Sequence, residues 1–267
     1  MKKKTSGRTI ADFGEQWTNY TENTGYYASA KALGDLLSPL MSLTEVRGKK
    51  IADVGAGTGR YTQMLHAAGA QQILAAEPSR AYEILLENTA GLDGVTCLNT
   101  GAEQTPPQDF DLIFCIGVLQ FIPDPRSALM SMGRALSRSG RLFLWVYGAE
   151  NNRLYLTFLH PLRQITRRLP HRALDMLSGA MEKAASLYAL LCRCIRLPLA
   201  DYMNNYYSGL NSYSRKLVIY DQLNPSSVKY YYKEELKKLL EECGFTDIRM
   251  HHRLNYSWSV LARYRHC

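Results

Sequence analysis

No apolar run in this chain approaches the ~18 residues a helix needs to cross a bilayer, so no stretch reads as a membrane span. The start, Met1-Lys2-Lys3-Lys4, is basic, but Thr5 to Gly14 holds no apolar core and a signal peptide is not expected. Cysteine is sparse, six residues in 267, and reads as reduced thiols of a cytoplasmic protein rather than a disulfide framework. The closest pair, Cys192 and Cys194, has no second Cys/His pair at zinc spacing, so no metal site is expected. Internal repeats and low-complexity linkers are also missing. What is present is ordinary: 46% hydrophobic and 21% charged residues, which excludes disorder, collagen and a coiled coil as readings of the whole chain. The length suits one large domain, or one domain plus an insertion or small cap.

The formal charge of +8 is unevenly placed. Met1 to Ile10 carries +4, Ala11 to Glu150 −5, Asn151 to Ala200 +6 and Asp201 to Cys267 +3. A basic middle segment after an acidic half implies an anionic neighbour: a charged substrate, a peptide, a membrane surface or nucleic acid.

Residues 1–48 read as an N-terminal cap with helical patches and aromatics, Phe13, Trp17, Tyr20, Tyr26 and Tyr27. From 49 to 149 the texture changes. Short apolar runs at Lys50–Val54, Gln72–Ala76, Val95–Leu98, Phe110–Ile116 and Arg141–Tyr147 read as buried parallel strands. Helical spacing lies between most of them, at Arg60–Ala68, at Tyr82–Thr89 with Ser79 as N-cap, and at Asp124–Leu136 before a turn at Ser139-Gly140. This rhythm predicts a doubly wound α/β sheet. Residues 150–228 break it and predict a mainly helical, tyrosine-rich insertion, acting as a substrate lid. Residues 229–267 return to the core, with a helix over Lys233–Cys243 closed by Gly244 and a final antiparallel strand hairpin.

The strongest chemical signal is Asp53-Val54-Gly55-Ala56-Gly57-Thr58-Gly59-Arg60, where a strand ends and a helix begins. Glycines there allow a sharp turn and close approach of backbone to a ligand. A dinucleotide fingerprint wants a third glycine where Arg60 stands, and a phosphate loop wants a Gly-Lys-Ser/Thr that is missing. Glu77 ends the second strand, where an acid can accept both hydroxyls of a ribose lying across the switch point of the sheet.

Together these residues resemble the class I S-adenosylmethionine-dependent methyltransferases. The resemblance continues through Asp109 to Pro125, including Ile116-Gly117-Val118-Leu119-Gln120, and through Arg134 to Arg141. Phe13-Gly14 with Trp17, Trp145-Val146-Tyr147-Gly148 and Asp221-Gln222-Leu223-Asn224-Pro225 resemble a bacterial subgroup with an aromatic cap and a helical insertion. The resemblance spans Asp12 to Tyr264. It implies a Rossmann-like seven-stranded sheet with an antiparallel last strand, and S-adenosylmethionine as cofactor with S-adenosylhomocysteine as product. It implies a cofactor set of Trp17, Asp53, Gly55, Ala56, Gly57, Glu77, Pro78, Ala102, Glu103, Cys115, Ile116 and Gln120. Many members carry Asp just before Ala102 to bind the adenine amino group; here that place is Gly101, and Glu103 or a backbone carbonyl is the stand-in.

The acceptor is less legible. No histidine has a clear catalytic context, and no Asn/Asp-Pro-Pro-Tyr motif for planar nitrogens occurs. A carboxylate fits these absences: with a pKa near ~4 it is already ionised and needs no base. It would be held by Arg and Tyr donors. The insertion and the segment after it supply both, with Arg163, Arg167, Arg168, Arg193, Arg196 and Tyr202, Tyr206, Tyr207, Tyr230, Tyr231, Tyr232. The candidates for catalysis are Tyr20, His160, Arg163, Tyr206 and Tyr231. The expected partner is an anionic small molecule or peptide, with no DNA. The alternatives are a hydroxyl or nitrogen acceptor that is lipid-like, quinone-like or RNA, with peripheral membrane contact not favoured, and a non-catalytic cofactor-binding subunit.

Overall fold

The computed structural model describes residues 10, 14–17, 20–23, 25–225 and 227–266. The basic start, Phe13 and Cys267 lie outside the described residues. Seven strands form one sheet: β1 (Lys50–Val54), β2 (Gln72–Ala76), β3 (Val95–Leu98), β4 (Phe110–Ile116), β5 (Leu136–Tyr147), β6 (Phe245–Arg253) and β7 (Ser257–Tyr264). Their order is β3-β2-β1-β4-β5-β7-β6. β1 to β5 pair in parallel, and β7 runs antiparallel to both of its neighbours. The order reverses between β1 and β4, and an open α/β sheet holds its ligands at that switch point, beyond the carboxyl ends of the strands.

Besides the helical residues 14–17, nine α-helices accompany the sheet among the described residues: α1 (Ala30–Leu37), α2 (Arg60–Ala67), α3 (Ala81–Thr89), α4 (Pro125–Ala135), α5 (Arg153–Thr166), α6 (His171–Cys194), α7 (Ala200–Asn205), α8 (Ser212–Leu223) and α9 (Lys233–Glu242). Strand alternation divides the core. Ala52, Ile113, Cys115, Leu142 and Leu144 pack with residues of α4 and α9, whereas Ile51, Leu112, Phe114 and Phe143 pack with residues of α1 and α2. A third cluster, Tyr20, Tyr27, Leu159, Leu174, Leu217 and Tyr220 among its members, joins the N-terminal segment to the insertion.

Two local expectations change. α3 begins at Ala81 with Arg80 at the cap, yet the Ser79 hydroxyl still accepts the Ala81 N–H at 3.1 Å. The turn at Ser139-Gly140 lies inside β5, which starts directly after α4. Pairing shifts there, from Phe110↔Leu136 to Leu112↔Arg141. A Cβ on Gly140 would lie 2.5 Å from the Phe110 carbonyl oxygen, so only glycine lets the strands close over this irregularity. The insertion leaves and rejoins the sheet at one place. The Tyr231 N–H donates to Tyr147 O at 2.9 Å, and the Ala149 N–H donates to Tyr231 O at 3.0 Å.

Candidate functional site

β1 ends in a turn whose three glycines, Gly55, Gly57 and Gly59, all have positive φ, at 77°, 57° and 84°. Side chains with a Cβ avoid that region, so the alternation of glycine is a steric requirement of this backbone. The turn is tied to β2 by the Gly55 and Ala56 N–H groups, which both donate to Ala76 O. Beside it, the buried Glu77 accepts the Gly57 N–H through Oε2 and the Ser79 N–H through Oε1, each at 2.9 Å. Each carboxylate oxygen keeps a further lone pair for another donor. Asn23 and Asn88 both donate to Thr58 O, so the N-terminal segment and α3 also brace the turn.

A cavity of about 170 Å³ opens over this turn. Nine residues of the expected cofactor set line it: Trp17, Gly55, Ala56, Gly57, Glu77, Pro78, Ala102, Glu103 and Ile116. Gly101 lines it too, beside Glu103. Asp53, Cys115 and Gln120 do not. Asp53 points beneath the turn, where its carboxylate accepts the Thr62 hydroxyl at 2.7 Å and burial pushes its pKa up to about 6. Cys115 alternates with Ile116 on β4 and faces the core, where burial pushes its thiol up to about 12. Gln120 is buried, and its amide finds no partner among the described residues. Its Nε2 would lie 4.0 Å from a Cβ on Gly117, which puts it behind the cavity wall.

A second cavity, of about 140 Å³, adjoins the first. Trp17, Arg60, Tyr61, Ile116, Gly117 and Phe121 line both and form the wall between them. The rest of its lining is strongly aromatic and includes Tyr27, Trp145, Tyr147, Tyr202, Tyr206 and Tyr256. Burial holds the Tyr202 and Tyr206 hydroxyls well above the ordinary phenol value, so they are neutral donors rather than bases. Its cations are Arg60 and Arg253. The Arg60 guanidinium lies 3.7 Å from the Tyr27 ring centroid and 4.0 Å from that of Tyr61, and donates to Tyr27 O at 2.8 Å. The one carboxyl on this wall among the described residues is Asp221 of α8, which accepts a hydrogen bond from the Gln16 amide. Burial pushes Asp221 up to about 7, against the opposing pull of Gln16 and Arg60.

Of the five candidates for catalysis, Tyr206 lines this cavity and four do not. Tyr20 donates to Asp175 at 2.5 Å inside the cluster that joins cap to insertion. His160 is exposed at the edge of the Tyr230 ring. Tyr231 is wholly buried in the sheet core, where it continues the backbone pairing. Arg163 is spent on structure: its Nε donates to Gln222 O at 2.7 Å and its Nη2 to the Tyr230 hydroxyl at 2.9 Å. Arg167, Arg168, Arg193 and Arg196 are exposed and line neither cavity. Charge counting by segment favoured the insertion, whereas the cavity takes its arginines from the first turn of α2 and the end of β6. The legible signal for Arg60 was its place directly after the glycine turn. Trp145, Tyr147, Asp221 and Gln222 lay in motifs already singled out, without a role attached.

The Arg163→Ala variant is therefore expected to lose stability rather than cofactor affinity. Two hydrogen bonds from a buried cation disappear, worth ~1.5–3 kcal/mol each. The urea midpoint should fall clearly while cofactor affinity stays within a few-fold. An unchanged midpoint with a raised acceptor KM would return Arg163 to the acceptor site.

Residues 52–144 match a family model described as a methyltransferase domain. A tRNA U34 carboxymethyltransferase of Campylobacter hominis is 34% identical over 119 residues, which are 41% of this chain and 39% of that protein. Another of that name, from Syntrophotalea carbinolica, is 35% identical over 107 residues, 38% of this chain and 33% of that one. The chain thus spans no more than about two fifths of either relative. Among solved structures, magnesium protoporphyrin IX methyltransferase from Synechocystis PCC 6803, with bound S-adenosylhomocysteine, superposes with a TM-score of 0.50 at 15% identity. The match covers 94% of this chain and 84% of that one.

Proposed function

We propose that this chain, whose residues 52–144 match a methyltransferase domain, is a class I S-adenosylmethionine-dependent enzyme that transfers a methyl group to an oxygen of an anionic small molecule or peptide, with a carboxylate as the leading acceptor. The observation that carries this reading is the pair of adjoining cavities. One is built on the glycine turn and Glu77, the other is aromatic and holds Arg60 and Arg253, and the two share a wall.

The first cavity fits S-adenosylmethionine on its own residues. Gly55, Ala56 and Gly57 let backbone approach the methionine part, Glu77 has lone pairs left for ribose hydroxyls, and Pro78, Ala102 and Ile116 offer apolar surface to an adenine. Glu103, beside Gly101, is the nearest acid for the adenine edge. The cofactor supplies an already electrophilic methyl group on a sulfonium. The chain's task is then to align the acceptor and exclude water. In this reading Arg60 and Arg253 hold the acceptor's negative charge, neutral Tyr202 and Tyr206 donate hydrogen bonds to it, and Trp17 and Phe121 close the space between donor and acceptor.

An RNA acceptor is the second reading, favoured by the names of the two relatives. The aromatic cavity argues for the smaller acceptor, because aromatic side chains dominate its lining and only two arginines join them among the described residues, unlike an open basic groove. Two measurements test the proposal. Calorimetry on the full chain should give micromolar affinity, roughly −8 kcal/mol, for S-adenosylmethionine and S-adenosylhomocysteine. Transfer of labelled methyl to carboxylate acceptors should yield a product cleaved by mild alkali. An alkali-stable product, or transfer only to tRNA, would end the carboxylate reading.

A further inference from the structure

We propose that the solvent face of α6 seats this protein on an anionic lipid surface, an inference independent of which acceptor is methylated. Exposed large hydrophobic residues are concentrated in the insertion. Of thirteen among the described residues, nine lie between Leu154 and Ile195. On α6 they follow the helical repeat. Leu174, Ser178, Glu182, Ala189 and Cys192 form the buried side. Met176, Leu187, Leu190 and Leu191 face away from it, at 76%, 61%, 54% and 48% exposure, and Ile195 follows at 59%. Spacings of three, four and eleven residues along this side are those of a single helix face. At 24 residues the helix is ~36 Å long, enough for a sizeable footprint.

The exposed charges of this helix have one sign. Arg172, Lys183 and Arg193 of α6, with Arg196 just beyond it, are exposed. The two acids of α6 are taken up by partners. Asp175 pairs with Lys216 at 2.7 Å and accepts the Tyr20 hydroxyl, while Glu182 is buried and accepts the Ser186 hydroxyl. Aliphatic residues interleaved with unopposed cations match the boundary of an anionic bilayer, where cations meet headgroups and side chains enter the acyl edge. A second copy of this face would bring its arginines against like charges. RNA would satisfy the cations but leave the leucines in water.

The test uses the full chain and two kinds of vesicle, phosphatidylcholine alone and phosphatidylcholine mixed with phosphatidylglycerol. Co-sedimentation should occur with the mixed vesicles and weaken as salt is raised. Each cation near such a surface contributes a factor of roughly five in partition, so Arg193→Glu with Arg196→Glu should lower it by roughly 25-fold or more. Leu187→Glu with Leu191→Glu should lower it at least as far. Both pairs are exposed, so the circular dichroism melt and S-adenosylhomocysteine affinity should be unchanged. Failure to sediment with the mixed vesicles at low salt overturns the proposal, as does equal retention on both kinds unaffected by the arginine changes. So does a dimer in light scattering, or salt-sensitive retention of RNA, that the leucine changes abolish while vesicle binding is missing.

Discussion

Replacing Gly57 with valine should abolish detectable binding of S-adenosylmethionine and S-adenosylhomocysteine while the chain stays folded. Gly57 has φ near 57°, and its N–H is the donor to Glu77 Oε2. A non-glycine residue in that region costs ~1–2 kcal/mol, and a β-branched one is a true outlier there. The new side chain would also enter the cavity that Gly57 lines, because a Cβ would sit 3.6 Å from the Trp17 indole. Gly55→Val should be as severe, since its Cβ would fall 2.4 Å from a methyl of Val118. A loss of at least a hundredfold, ~2.7 kcal/mol, is expected in calorimetry. Gly34→Ala in α1 is the control: no atom lies within 4 Å of its added Cβ, and binding should be unchanged. An affinity for the Gly57→Val protein within threefold of the parent would move the cofactor away from the glycine turn.

Asp221→Asn should remove the main pH dependence of the acceptor step. Asp221 lines the aromatic cavity, and burial raises its carboxyl to about 7, so it changes charge in the working range. A carboxylate acceptor is itself ionised throughout this range, so the pH dependence comes from the cavity wall and not from the nucleophile. With a carboxylate acceptor, ionised Asp221 repels the nucleophile, and kcat/KM should fall as pH rises through about 7. With a hydroxyl acceptor the sign reverses, because ionised Asp221 is the form that takes the proton, and kcat/KM should rise through the same window. Across that limb a change of ten- to a hundredfold, ~1.4–2.7 kcal/mol, is expected, and the asparagine variant should be flat. A limb that persists in Asp221→Asn would assign the titration to another group.

The same residue has a stability signature. Its folded pKa is raised, so between about 4 and about 7 the folded chain holds a proton that the unfolded chain has released. Stability should therefore fall as pH rises through this window, at up to ~1.4 kcal/mol per unit, and Asp221→Asn should blunt the fall.

The α/β rhythm, the glycine turn and Glu77 were legible in the amino-acid sequence because their physics is local. A short continuous apolar run makes a strand buried on both faces, and a turn that forbids Cβ atoms must be written in glycine. The expected insertion over residues 150–228 rested on a similarly local signal, helical periodicity in place of the strand rhythm between β5 and α9. Only the tertiary structure decided which side chains meet around the aromatic cavity. Trp17, Arg60, Phe121, Asp221 and Arg253 come from five separate parts of the chain, and no spacing rule links them. Arg163 and Arg253 look alike as residues in a basic chain. One is turned inward to hold the Gln222 carbonyl and the other lines the cavity, because burial leaves a polar group no choice but to find the partner that the fold puts within reach.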